Sequence, residues 1–278
     1  MAEKETAFYD EALRLEVYRF EGLSRPFPDH FHDFYVIGGV EAGERLLTCK
    51  NRRYRLGRGD LLLLNPSDSH GCIQAGDEPL SYRALNLTRE RMAYFAERAT
   101  GRRGAPAFGE SVRSDPSLCA ALFTLCRAIE RGDPDHEALL LSFLGKAEKR
   151  GCLCFPTAVP DEPTRGSALA VERACAFMER HFAEPISLDA LCRRGNLSRS
   201  ALLRAFTKEK GVTPYRYLQA IRIARAKEML EAGATPLEAA MRTGFADQSH
   251  FSRFFRLYIG LSPARYAKIF REGKEAKR

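Results

Sequence analysis

One stretch of this chain is written twice: LDALCRRGNLSRSALLRAFTKEKGVTPYRY (residues 188–217) returns as LEAAMRTGFADQSHFSRFFRLYIGLSPARY (residues 237–266), without a gap and at an offset of 49 residues. The copies share small, apolar and turn-forming residues at matching positions, such as Gly195 with Gly244. A long internal repeat constrains the architecture more than any other sequence feature. Because a solenoid needs about three or more stacked repeats, we interpret the two copies as two small recognition units.

Each copy has the pattern of a short helix, a tight turn and a longer helix, over residues 187–211 and 236–260. In the first copy Gly195 supplies the backbone freedom that a helix end needs, and Ser198 is the candidate N-cap of the longer helix. Asp247 has the same capping position in the second copy. Two helices joined by a short turn that contains Gly form a helix-turn-helix unit, whose second helix lies in the DNA major groove.

The longer helix of each copy has an apolar stripe, which we expect to be buried, and an opposite polar face. This face carries side chains that read base edges in the major groove, since Arg binds guanine, Gln binds adenine and Ser binds either. The candidate DNA-binding residues are Arg199, Ser200, Leu203 and Arg204 in the first copy, and Gln248, Ser249, His250 and Arg253 in the second. A solvated helix surface would explain one such face, but two copies in register favour DNA recognition.

Residues 214–231, PYRYLQAIRIARAKEMLE, are predicted to form one uninterrupted helix between the copies. Pro214 opens it, where a missing N–H costs nothing. A helix of this length spans about 27 Å at 1.5 Å per residue, so it can hold two recognition helices roughly one DNA turn, about 34 Å, apart. If Arg222 on this helix touches only phosphate, its replacement weakens binding to all sequences alike.

The positive charge of the chain lies in the half that contains the repeat. Residues 167–278 have 21 Lys and Arg against 11 Asp and Glu, whereas the whole chain has 44 against 36. The first 166 residues are therefore slightly acidic. A positive excess confined to one half is the electrostatic pattern expected of a domain that binds nucleic-acid phosphates.

With these features, residues 170–270 resemble the DNA-binding domain of the AraC/XylS family of transcription regulators. The most specific part is GFADQSHFSRFFRLYIGLSPARYAK (residues 244–268), which in that family forms the second helix-turn-helix and its closing turn. The resemblance implies activation of transcription through contacts with RNA polymerase. It also implies base contacts by Ser200, Leu203, Arg204, Ser249, His250 and Arg253.

The first part of the chain has mostly β pattern over residues 14–87, in short segments separated by Gly, Asn, Asp and Pro. From about residue 88 the pattern becomes helical. The last helix, near residues 135–148, has more leucines than one small domain face needs, so we expect it to pair with its copy in a homodimer. Residues 151–167, with three prolines, are the predicted linker between a domain of residues 1–150 and a DNA-binding domain of residues 168–278.

The β segment resembles the cupin-like sensor domain of the same regulators. Its His30-Phe31-His32 is similar to the family's His-x-His strand, and Gly59-Asp60-Leu61 with Asn65-Pro66 and His70 is similar to the second cupin motif. In the wider cupin superfamily such histidines hold a metal, helped by a Glu soon after the His-x-His. Residues 33–36 contain no Glu here. We therefore predict no metal cofactor.

Side-chain alternation along a strand places His30 with His32, and His70 with Cys72, on one face each. If both pairs point into the barrel, they line one pocket, with Cys49 close by. We expect these five residues to bind a small organic effector through hydrogen bonds. Two alternatives stay open: a soft transition metal, which suits imidazole and thiolate ligands, and a set of core residues without a ligand.

The sequence thus predicts an α+β protein of two domains: an N-terminal cupin-like β-barrel followed by helices, then an all-α domain of two helix-turn-helix units joined by a helix. We expect a sequence-specific transcriptional regulator without catalytic residues, controlled by an effector. No stretch reaches the ~18 apolar residues of a membrane span, and a signal-peptide core is absent, so we expect a cytoplasmic protein. Its expected partners are double-stranded promoter DNA, RNA polymerase, the effector and a second copy. The alternatives are a cupin metalloenzyme fused to a DNA-binding domain and a ligand-independent repressor.

Overall fold

The computed structural model of the chain describes residues 3–155 and 166–275. The chain divides into two compact units, the first formed by Met1–Phe27 with His32–Val159 and the second by Pro28–Phe31 with Pro160–Arg278. The prolines of the predicted linker lie outside the described residues.

Twelve strands lie in the described residues, and most of them belong to two sheets. They are β1 (Lys4–Asp10), β2 (Leu15–Leu23), β3 (Phe27–His30), β4 (Tyr35–Ala42), β5 (Glu44–Cys49), β6 (Arg52–Leu56), β7 (Asp60–Leu64), β8 (His70–Ala75), β9 (Leu80–Leu87), β10 (Ala107–Phe108), β11 (Val112–Ser114) and β12 (Leu153–Cys154). The larger sheet has the order β1-β2-β9-β4-β7-β11, and the smaller has the order β3-β8-β5-β6. Strands β10 and β12 form a separate pair. The sequence pattern did not predict β1.

Three helices lie after β9 in the first unit, with β10 and β11 between the first two and β12 after the third. They are α1 (Arg89–Thr100), α2 (Pro116–Arg131) and α3 (His136–Lys149). Helix α2 packs on the larger sheet, against β4, β7 and β9, and α3 packs on α1 and α2. At the point of closest approach β4 has Gly39, where a Cβ atom would lie 2.8 Å from the Sγ of Cys119 and from the ring of Phe123. Any larger residue would require the side chains of Cys119 and Phe123 to shift.

The leucine-rich run on α3 is used inside the first unit. Leu140 and Leu144 are fully buried in its core, and Leu139 and Leu141 pack partly buried against the same core. The core that they join also contains Phe95 and the apolar face of the larger sheet. The excess of leucines is therefore explained by a helix that contacts two other helices, and these buried side chains are not available to a second copy.

The described part of the second unit is helical apart from the short segment at residues 28–31. Its helices are α4 (Gly166–Arg180), α5 (Leu188–Gly195), α6 (Arg199–Lys210), α7 (Pro214–Glu231), α8 (Pro236–Arg242), α9 (Gln248–Ile259) and α10 (Pro263–Glu275). Helix α7 has the bounds that the sequence predicts. The pairs α5–α6 and α8–α9 are the two copies of the repeat. The apolar stripe of α6 is buried through Leu202 and Phe206, and that of α9 through Phe251 and Phe255.

The matching glycines of the repeat have different roles, which corrects the expectation for the first copy. Gly195 is the last residue of α5, and the left-handed residue that ends this helix is Asn196, with φ of 49°. A Cβ atom on Gly195 would lie 3.1 Å from the Cβ of Ala170, so this glycine permits α4 and α5 to pack closely. Gly244 does have a left-handed backbone, with φ of 79°. Its position also requires close approach, since a Cβ atom there would lie 2.5 Å from the carbonyl oxygen of Ala183.

Candidate nucleic-acid interface and ligand-binding interior

The predicted reading face of the first unit of the repeat is exposed on α6. Ser198 caps this helix, because its hydroxyl accepts a hydrogen bond from the backbone N–H of Ala201 at 3.3 Å. Ser200, Leu203 and Arg204 are exposed on the side opposite the buried stripe. Leu203 is a large apolar side chain in solvent, and contact with a thymine methyl is a function that would account for its exposure.

Arg199, the first residue of α6, is held by an acidic residue of α5. Its Nε donates to Asp189 Oδ1 at 2.6 Å and its Nη2 donates to Asp189 Oδ2 at 2.5 Å. This bidentate pair lowers the pKa of the Asp189 carboxyl below its ordinary value. The sequence predicts Arg199 as a DNA contact, and the structure adds an interhelical ion pair that the sequence reasoning missed. The signal available was an Asp and an Arg ten residues apart across the predicted turn.

The predicted reading face of the second unit of the repeat is only partly exposed on α9. Gln248, Ser249 and Arg253 are exposed. The ring of His250 instead packs on Phe254, with ring centroids 4.8 Å apart, and lies 5.7 Å from that of Phe245. Its Nδ1 is buried without a hydrogen-bond partner among the described residues. Of the four residues predicted on this face, His250 is therefore the one whose side chain is most engaged by the protein itself.

Arg222 on α7 is a structural residue, so the condition under which it would touch only phosphate is not met. Its Nε donates to the carbonyl oxygen of Phe182 at 2.7 Å and its Nη2 donates to that of Glu184 at 3.0 Å. The side chain is buried, and this burial lowers the pKa of its guanidinium. A guanidinium fixed on two backbone carbonyls in the interior cannot also contact DNA.

The predicted effector residues on β5 and β8 share one face of the smaller sheet. Cys49 is the cross-strand partner of His70, and Leu47 is that of Cys72. On β5 the residues Arg45, Leu47 and Cys49 are buried while Leu46 is exposed, so the shared face is the interior one. The alternation predicted for His70 and Cys72 is therefore present, and Cys49 is their neighbour.

Cys49, His70 and His32 each contact another side chain or a carbonyl oxygen within the first unit. Cys49 Sγ lies 3.3 Å from Ser111 Oγ in a hydrogen bond, and burial raises the pKa of this thiol. His70 Nδ1 lies 2.9 Å from the carbonyl oxygen of Asp68. The His32 ring stacks on Phe34 at 4.6 Å and lies 5.1 Å from the His70 ring, both measured between centroids. Imidazole and thiol side chains of this kind suit either an organic ligand or a soft metal.

His30 and Cys72 complete the predicted set. His30 is buried, its Nδ1 lies 2.6 Å from the carbonyl oxygen of Pro28, and it belongs to the second unit. Because β3 ends at His30, His32 lies outside this strand, and the prediction that the two histidines share one strand face is wrong. Burial raises the pKa of the Cys72 thiol, which is partly opposed by the charge of Arg45.

Arg45 is an interior residue that the sequence reasoning missed. Its guanidinium is fully buried and donates to the carbonyl oxygens of Leu23, Ser24 and Arg25. Tyr82 lies in the same region, and burial raises the pKa of its hydroxyl. The signal was the alternation of Arg45 with Leu47 and Cys49, but an Arg is ordinarily expected at the surface.

The two halves of the chain each match a known domain family. Residues 15–145 match the AraC-like ligand binding domain, and residues 191–269 match a helix-turn-helix domain. The chain is 39% identical over 251 residues to the uncharacterized HTH-type transcriptional regulator YbfI of Bacillus subtilis (strain 168), which covers 89% of this chain and 90% of that protein. The chain belongs to the AraC family of helix-turn-helix transcriptional regulators, with an N-terminal ligand-binding domain.

More distant similarity agrees with this assignment. The HTH-type transcriptional activator RhaS of Escherichia coli O139:H28 (strain E24377A / ETEC) is 25% identical over 252 residues, which covers 90% of this chain and 89% of that protein. Wild-type ToxT from Vibrio cholerae strain SCE256, bound to an unsaturated fatty acid, superimposes with a TM-score of 0.55 at 19% identity, covering 97% of this chain and 98% of that one. ToxT from Vibrio cholerae O395 gives a TM-score of 0.53 at 16% identity, covering 96% and 98%. The predicted fold class and regulatory function are confirmed.

Within the described residues, none of the helices is both long and apolar enough to cross a membrane.

Proposed function

We propose that this regulator reads an asymmetric promoter site through α6 and α9. The observation that carries the proposal is that both recognition helices bury the same stripe. At matching positions both expose a serine and an arginine, Ser200 with Ser249 and Arg204 with Arg253, whereas the exposed Arg199 of α6 is matched by Gln248 of α9. Arg199, Ser200, Leu203 and Arg204 on α6 are the contacts for one box of base pairs. Gln248, Ser249, His250 and Arg253 on α9 are the contacts for another, unlike box.

The second part of the proposal is that a small organic effector binds inside the first unit and changes DNA binding. The interior face of the smaller sheet supports it, because His70, Cys72 and Cys49 offer hydrogen-bonding groups there, and His70 and Cys49 are buried. The fatty acid in ToxT is one class of candidate. An effector can act only if its affinity differs between two arrangements of the protein.

The remaining parts of the proposal concern partners and location. We propose that the protein activates transcription through contacts with RNA polymerase, as the name of RhaS as an activator suggests. We propose a homodimer formed through a surface other than the buried leucines of α3. The relatives that support the family assignment are regulators, which favours a role without catalysis and a place in the cytoplasm, where promoter DNA lies.

The experiment for DNA recognition is selection of bound duplexes from a randomised library with the full-length protein. We expect two unlike boxes whose centres lie about one turn, roughly 10–10.5 base pairs, apart. A library that gains no sequence preference would contradict sequence-specific recognition.

The experiment for effector control repeats the measurement of affinity for the selected duplex with a panel of sugars and fatty acids. We expect at least one of them to change the dissociation constant, and matched carboxylate and carboxamide probes would show whether its charge matters. A panel that binds, as seen from the melting temperature, but leaves DNA affinity unchanged would contradict effector control.

A further inference from the structure

The ion pair between Asp189 and Arg199 is found in the first unit of the repeat and has no equivalent in the second. The repeat pairs Asp189 with Glu238 and Arg199 with Gln248. Glu238 does not reach the recognition helix, because its Oε2 accepts hydrogen bonds from the backbone N–H and the hydroxyl of Thr235, at 2.7 and 2.8 Å. The contact of Asp189 with α6 is therefore a property of one copy and not of the scaffold.

The geometry of the pair leaves the outer edge of the guanidinium available. A guanidinium has five N–H donors, and Asp189 takes one from Nε and one from Nη2 of Arg199. The remaining donors of Nη1 and Nη2 form the end-on pair that fits O6 and N7 of guanine. The side chain is 68% exposed, and it stands on the first residue of a recognition helix, whose N-terminal residues contact base edges.

The charge of the pair favours a base over a phosphate as the partner of Arg199. A phosphate is attracted mainly by the positive charge of the guanidinium, and a neighbouring carboxylate offsets this charge. The carboxylate does not change the direction of the guanidinium N–H bonds, on which recognition of a base depends. It also fixes a long side chain before DNA arrives, and this ordering reduces the entropy lost on binding. An exposed ion pair contributes little to folding stability by itself, so positioning is the larger effect available to it.

We infer that Asp189 is a positioning residue that holds Arg199 in the orientation for guanine recognition by the first helix-turn-helix unit. The inference rests on the proposed reading of DNA by α6, and it adds a specificity determinant that lies outside the recognition helix. It also predicts that the box read by α6 contains a guanine opposite the N-terminus of that helix.

The experiment is selection from the same randomised duplex library, followed by sequencing, for four full-length proteins. They are the wild type, Arg199→Ala, Asp189→Asn and the matched control Glu238→Gln. Arg199→Ala removes the guanine preference at one base pair. Asp189→Asn weakens the preference at that same base pair several-fold, and Glu238→Gln leaves every preference as in the wild type.

A charge-swapped variant, Asp189→Arg combined with Arg199→Asp, separates positioning from simple bracing. It can restore an ion pair between α5 and α6 but not a guanidinium on α6, so the guanine preference stays absent. Recovery of the wild-type preference in this variant, or an unchanged preference in Asp189→Asn, would show that the pair only braces the two helices.

Two further outcomes are distinct from these. If Arg199→Ala weakens all duplexes alike and lowers the salt dependence of binding by about one ion, Arg199 contacts phosphate and the inference is wrong. If the wild type selects no sequence, the proposed DNA recognition itself fails. Unchanged circular dichroism of the variants confirms that each is folded, as expected for exposed side chains.

Discussion

The two helix-turn-helix units have the same helices in the same order and bury the same stripes, but they differ in one further contact near the turn. In the first helix-turn-helix unit an exposed ion pair joins the helices, from Asp189 on α5 to Arg199 on α6. In the second unit the turn packs through aromatic rings, with Phe245 5.2 Å from Phe251 between centroids. Duplication therefore preserved the buried stripes, which the fold needs, and left the turn and the exposed face free to diverge.

The difference has a consequence for each unit's specificity. A bracing contact made by a charged pair on the surface lies where it can touch DNA, whereas an aromatic cluster beneath the helix cannot read a base. Arg199 can therefore act in both the scaffold and the reading face, while Phe245 acts in the scaffold alone. The same fold can accordingly combine structural and reading roles in one residue or separate them.

The largest expected effect distinguishes the two glycines of the repeat. Gly244→Ala should lower the free energy of unfolding by about 3 kcal/mol or more, because left-handed strain of about 1–3 kcal/mol adds to a clash with the Ala183 carbonyl. Gly195→Ala should cost less, since only the Cβ of Ala170 is close.

Urea unfolding of the full-length proteins measures both changes. Gly101→Ala is the control for strain without a clash, because its φ is 73° and nothing lies near its added Cβ. Equal losses for Gly195→Ala and Gly244→Ala would mean that the two turns are equivalent despite their different backbones.

We expect an intermediate effect, on DNA affinity, from replacing the two exposed arginines at matching positions of the repeat. Arg204→Ala and Arg253→Ala should each cost about 1–3 kcal/mol on the selected duplex and relax the preference at one base pair. The two base pairs should lie in different boxes. Fluorescence anisotropy with the selected duplex and with single-base-pair variants of it measures this. An equal loss on random DNA would assign the arginine to phosphate instead.

We expect the smallest effect, on stability, from replacing the N-cap residues of α5 and α8, the first helix of each helix-turn-helix unit. Thr235→Ala and Ser187→Ala should each lower the free energy of unfolding by about 1 kcal/mol, with the larger loss at Thr235, because a capping box with Glu238 is present only there. A larger loss at Ser187 would contradict this ranking.

A low pH should reduce the difference in stability loss between the two cap variants. The hydrogen bonds from Thr235 lower the pKa of Glu238 below its ordinary 4.5. The stability that ionised Glu238 adds is present above the ordinary pKa and is lost as the pH falls through the lowered one. Thermal unfolding of the two cap variants and the wild type, at neutral pH and well below pH 4.5, measures this change.

Local signals were sufficient to predict most of the helices. Pro214 at the start of α7 and the apolar periodicity after it are properties of neighbouring residues, so the sequence predicts its bounds. The segments FYVIGGV (residues 34–40) and ERLLTCK (residues 44–50) likewise overlap β4 and β5. Strand β1 was missed because its residues pair only with β2 at the sheet edge and have a weak alternation.

The sequence predicted which residues are exposed or share a face in the candidate sites better than it predicted the contacts that their side chains make. Exposure of Ser200, Arg204, Ser249 and Arg253 follows from helical periodicity, and the shared face of His70 and Cys72 follows from the alternation of a strand. The packing of the His250 ring near that of Phe245 does not follow from its position on α9, since Phe245 lies in the preceding turn.

By itself, the sequence determined the class of this protein, because repetition, periodicity, capping and charge are properties of residues near one another in the chain. Only the tertiary structure decided which arginine side chains are already bound within the protein. Arg222 binds carbonyls 40 and 38 residues away, Arg45 binds carbonyls about twenty residues away, and Arg199 binds Asp189 across a turn. A guanidinium can satisfy its donors with a backbone carbonyl, a carboxylate or DNA, and which of these is present depends on packing between distant segments.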